Sequence, residues 1–86
     1  MARSNFSDDL HVERVAAQVL VDELETLQVR HFEEHLQLVT EDVLDVASLY
    51  AHRERWRTTA VRLANATADL YAARDRVRVA SRRAVS

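Results

Sequence analysis

Neither glycine nor proline occurs anywhere in these 86 residues. Glycine supplies the positive φ of tight turns and proline ends helices outright, so their joint absence leaves long helices as the expected outcome. Cysteine is missing too, which rules out disulfides, thiol catalysis and thiolate metal ligands. No apolar run approaches the ~18 residues that a membrane-spanning helix requires. The opening MARSNFSDDLHVER lacks the basic start and apolar stretch of a secretory signal. The expected location is cytoplasmic, or the virion if the chain is a phage component.

Lysine is the last absence, since all twelve basic residues are arginine. Each cation is therefore a planar guanidinium suited to bidentate contact with carboxylate or phosphate. The charges are segregated along the chain. Residues 1–50 carry eleven acids against three arginines, a balance of −8; residues 51–86 carry three acids against nine arginines, a balance of +6.

What is present is a helical apolar rhythm. With 48 % apolar and 30 % charged residues the chain has the means to fold, but its length allows one domain with a modest core. Asn5 or Ser7 can cap a first helix, with Asp8 and Asp9 in its first turn. Apolar residues recur at Leu10, Ala17, Leu20, Leu24 and Leu27. A second series follows at Val29, Phe32, Leu36, Val39, Val43, Val46 and Tyr50, alternating steps of three and four over three heptads. Such a row describes a helix whose seam faces another helix. The change of series near residue 28 reads as a stutter that one continuous helix absorbs.

Thr40, Glu41 and Asp42 form a cap-like sequence, but it lies inside the heptad run, and continuity through it is the expectation. The break is placed at 51–59, where Trp56 is the single large apolar residue and Thr58 or Thr59 can cap the helix that follows. The expected organisation is one domain: an acidic helix over 7–50, a hinge or turn over 51–59, a basic, alanine-rich helix over 60–80 and a tail over 81–86. Val61, Leu63, Ala64, Ala68, Leu70, Tyr71 and Val77 give the basic helix a wide apolar stripe. The fold class is all-α, with long helices in a hairpin or coiled-coil-like bundle completed by oligomerisation through Val29, Phe32, Leu36, Val39, Val43, Val46 and Tyr50.

One stretch, HFEEH at 31–35, carries the pattern of a metal site. His31, Glu34 and His35 match the H-x-x-E-H spacing in which two histidines one turn apart hold zinc and a glutamate activates water. If Phe32 and Leu36 occupy the seam, His35 flanks it, His31 lies further round and Glu34 falls near the opposite face, so the motif sits mostly on a solvated surface. Downstream, only Glu41 and Glu54 remain as glutamate ligands. No metal or cofactor is expected on this reading, and His31 and His35 are the only candidates for one. His11 and His52 read as isolated. No catalytic triad or phosphate-binding loop can be assembled, so no enzyme is expected.

The arginines of the second half admit two readings. Arg74, Arg76, Arg78, Arg82 and Arg83 can neutralise nucleic-acid phosphates, or they can pair with the acidic half when the chain folds back. Internal pairing is the preferred reading. A third class is a small acidic inhibitor, in which the acidic stretch imitates nucleic acid to bind a basic protein. The functional expectation is a non-enzymatic structural or adaptor protein that partners itself and another protein within a larger assembly, such as a virion or mobile element.

Overall fold

A computed structural model describes residues 2–40 and 45–85. They form two helices, α1 over Ala2–Thr40 and α2 over Val46–Val85. The helices pack as a hairpin measuring 64 × 17 × 16 Å. Forty residues at 1.5 Å each extend about 60 Å, so each helix runs the length of the rod. No strand occurs among the described residues, and no helix is long and apolar enough to cross a membrane.

The reversal of direction lies earlier than the sequence suggests. α1 stops at Thr40, whose hydroxyl donates to the Gln37 carbonyl at 3.0 Å. Asp45 caps α2: one carboxylate oxygen accepts from the Ala47 amide at 3.1 Å, and the other accepts from the Ser48 hydroxyl at 2.7 Å. The expected continuous helix over 7–50 is thus two helices. Thr40 marks the end of one, while Glu41, Asp42 and Val43 lie outside the described residues.

The expected hinge at 51–59 is instead the interior of α2. Thr58 and Thr59 donate their hydroxyls to the carbonyls of Glu54 and Arg55, at 2.9 and 3.1 Å, so neither caps a new helix. Their neighbours are mainly arginine, glutamate and alanine, which favour helix. Residues 81–85 likewise continue α2 rather than forming a tail. At the other end α1 begins at Ala2, so neither Asn5 nor Ser7 starts it.

One seam joins the helices. On α1 the buried and half-buried positions are Leu10, Arg14, Ala17, Val21, Leu24, Gln28, His31, His35 and Leu38, with Gln18, Leu27 and Glu34 flanking. On α2 they are Leu49, His52, Trp56, Thr59, Leu63, Ala66, Leu70, Ala73, Val77 and Ala80, with Thr67 beside them. Both rows alternate three and four without interruption, so the register shift expected near residue 28 does not occur. Val21, Leu24, Ala66 and Leu70 form the apolar centre, with Ala17 and Leu63 against it. Towards the turn the seam becomes polar.

Candidate functional site

That polar zone is built by the antiparallel pairing of the two seams. α1 contributes His31 and His35, one turn apart, with Glu34 beside them; α2 contributes His52, Trp56 and Thr59. His52 is fully buried and His31 retains 7 % exposure, while Glu34 is half-buried at the edge. The rings of His35 and His52 stack at 5.6 Å with 19° between planes, and Trp56 lies 5.3 Å from His35 and 5.5 Å from His52.

The hydrogen bonds of this layer fix the direction of each group. Thr59 gives its one hydroxyl proton to the Arg55 carbonyl, so at 3.0 Å from His31 Nε2 it accepts. His31 therefore donates through Nε2, the tautomer that in the neutral ring leaves the Nδ1 lone pair facing inward. Nδ1 is buried without a hydrogen-bond partner, as are Nδ1 of His35 and both ring nitrogens of His52. Glu34 uses its two oxygens separately. Oε1 accepts from Arg55 at 2.9 Å, and Oε2 lies 3.5 Å from His52 Nδ1 and 3.9 Å from His31 Nδ1. Loss of hydration pushes the Glu34 carboxyl upward, but the hydrogen bond and charge of Arg55, joined by His52, outweigh it and hold the group below the usual glutamate value.

The sequence placed this motif on the wrong face. With Phe32 and Leu36 as the contact row, His31 and His35 fall largely in solvent, yet the contact row is offset by one residue and buries them. His52, which looked isolated, is the most deeply buried member of the cluster. The H-x-x-E-H roles change as well: Glu34 points at histidine nitrogens on both helices, whereas His35 stacks against the ring of His52.

No protein-family model, curated protein or solved structure matches the chain. The remaining expected site residues are placed as follows. Val29, Phe32, Leu36, Val39, Val46 and Tyr50 lie on one flank and are 50–78 % exposed rather than forming the joining seam, although Phe32 meets Trp56 of α2 edge to face at 6.3 Å. Val43 of the expected row lies outside the described residues. Val29, Phe32, Leu36, Val39 and Tyr50 each follow a seam position by one residue, and Val46 lies one turn before Tyr50 on the same flank. Gln18 and Arg74 also sit one residue after seam positions and bond across the helices at 2.9 Å, which puts this flank of both helices on one side of the rod. The opposite flank, one residue before the seam, holds the cross-helix ion pairs Glu34–Arg55 and Glu13–Arg76, the latter at 3.3 Å. Arg78 pairs within its own helix with Asp75 at 2.7 Å, and Arg82 and Arg83 occupy the last turn of α2.

Proposed function

We propose that this chain is a non-enzymatic structural or adaptor protein whose working unit is a dimer of hairpins, a four-helix bundle within a larger assembly. The observation that carries this reading is the exposed row Val29, Phe32, Leu36, Val39, Val46 and Tyr50. A row one residue on from a seam is rotated by 100° about the helix axis. Two neighbours in a square bundle stand about 90° apart, so a helix with two such rows is shaped for two partners. The hairpin supplies one and a second copy supplies the other.

Area and charge support the same occupant. At these exposures the six side chains offer on the order of 600 Å² per copy, most of the ~800 Å² per partner of a standard interface. The hairpin alone fully buries only Val21, Leu24, Ala66, Leu70 and Ala73 among its described apolar residues, a small core for a rod 64 Å long. α1 has eight acids against three arginines, a balance of −5, and α2 has three acids against nine arginines, a balance of +6. A two-fold axis along the rod sets each α1 between two α2 helices, so acidic helices alternate with basic ones. The same axis brings the two loop-proximal apolar patches together.

Sedimentation equilibrium tests the proposal. The untagged protein is expected to be dimeric at micromolar concentration, and Val39→Asp or Phe32→Asp is expected to raise the dissociation constant by at least about 100-fold, since burying an unpaired carboxylate costs several kcal/mol. A folded, monodisperse monomer at about 50 μM wild-type protein, a concentration at which even a weak specific dimer is populated, overturns it.

A further inference from the structure

We propose that His31, His52 and Glu34 form a zinc site that clamps α1 to α2 near the turn. The ligand atoms of these three residues lie within 4.8 Å of one another. A tetrahedral zinc with bonds near 2.0–2.1 Å separates its ligands by roughly 3.3–3.4 Å. The His52–Glu34 pair at 3.5 Å is already at that spacing, and His31–Glu34 at 3.9 Å needs only a small side-chain rotation.

Three further features point to an ion rather than to a register-setting polar layer. A polar residue that specifies helix pairing is ordinarily hydrogen-bonded, because an unpaired buried group is costly. Here His52 is fully buried, its Nε2 has no partner and its Nδ1 has only the Glu34 carboxylate at the long distance of 3.5 Å, while His31 Nδ1 faces the same carboxylate at 3.9 Å without a hydrogen bond. The outer contacts are those that orient metal ligands: Thr59 fixes the His31 tautomer, and Arg55 holds Oε1 of Glu34 so that Oε2 faces the histidines. A groove of about 450 Å³ lined by Leu27, His31, Glu54, Arg55, Thr58 and Thr59 also reaches the edge of the cluster at His31.

The donor set selects the metal. Two imidazoles and one carboxylate suit zinc, with a fourth position left for water. A ferrous ion takes the same donors with three adjacent open positions, so the metal titration includes ferrous ion as a competitor. The site sits on the ion-pair flank, away from the exposed apolar row. Zinc binding is therefore independent of whether the hairpin dimerises.

The test uses full-length protein made without a polyhistidine tag, stripped with a chelator and titrated with zinc against a chromophoric competitor, with helicity followed by circular dichroism. Cobalt serves as a spectroscopic probe. The expected result is one zinc per chain with submicromolar affinity and tetrahedral cobalt absorption. His31→Leu and His52→Leu should each weaken binding at least about 100-fold while helicity is kept, and Glu34→Gln should weaken it too. His35→Ala, which removes the ring stacked on His52 but none of the three ligands, should still bind one zinc per chain. If His52→Leu does not fold, Glu34→Gln decides in its place. Absence of stoichiometric zinc in the wild type overturns the proposal. So does binding that survives His52→Leu or Glu34→Gln but is lost in His35→Ala, because that is a surface His31–His35 pair on one helix.

Discussion

Removing the Asp45 side chain takes away two acceptors at once, one for the Ala47 amide and one for the Ser48 hydroxyl. Asp45→Ala is therefore expected to lower the thermal midpoint, and Asp45→Asn, which keeps an oxygen for the amide, to recover most of the loss. The charge adds a pH dependence. The Ser48 hydroxyl first, and the Ala47 amide after it, hold the Asp45 carboxyl below its ordinary 3.8. A carboxyl with a depressed value in the folded state stabilises fully above its unfolded value and loses that contribution as pH falls through the folded one. The advantage of wild type over Asp45→Asn should accordingly be constant above about pH 5 and shrink below about pH 4. Thermal melts by circular dichroism across pH 2–7, an approximate span that brackets the carboxyl titration, measure it; an advantage that persists unchanged at the acid end contradicts the cap.

At the scale of the helices, the interior of α2 distinguishes a continuous helix from a hinge by the effect of one exposed threonine. Thr58 donates to the Glu54 carbonyl within the helix, so Thr58→Ala gains helix propensity and should raise stability by roughly 0.5 kcal/mol. As the cap of a new helix, the same threonine would cost about 1 kcal/mol on removal. Urea titration separates the two signs. Much of the helical architecture was legible in the sequence: missing breakers and the three–four rhythm gave two long helices in a hairpin. The face was not. Periodicity locates a stripe only if the stripe is apolar, and here Gln28, His31, His35, His52 and Thr59 occupy the joining seam while Phe32 and Leu36 stay outside. Reading the apolar row as the seam moved every side chain by 100° and created the apparent stutter at residue 28. His31–Glu34–His35 is visible as a spacing, whereas a turn at 51–59 would keep His52 apart from it and only a helix starting at Val46 brings His52 alongside. The one legible clue was the Thr40 cap sequence, which the heptad row outweighed.

For the whole molecule, the absence of native cysteine makes the direction of assembly directly measurable. A spin label on Ala47→Cys sits at the start of α2, beside the turn. With the two-fold axis along the rod, the two labels of a dimer lie at one end, separated by under about 35 Å. With the axis across the rod they lie at opposite ends, approaching the 64 Å length of the hairpin. Pulsed electron resonance is expected to give the short distance, and the long one rules out the arrangement proposed for the bundle. The polar zone beside the turn also bears on how the chain folds. A helical hairpin ordinarily zips from its turn, where the loop to be closed is shortest, but here the seam leucines nearest the turn, Leu38 and Leu49, are followed by imidazoles before the apolar centre is reached. The apolar centre that rewards closure joins Leu24 to Ala66, a separation of 66 − 24 = 42 residues, against 52 − 31 = 21 for His31 and His52. Doubling the loop adds about 0.6 kcal/mol to the entropic barrier, close to a threefold slowing. A cation bridging His31 and His52 would move nucleation back to the turn, so that the order in which the rod closes depends on whether the ion arrives before or after the leucines meet.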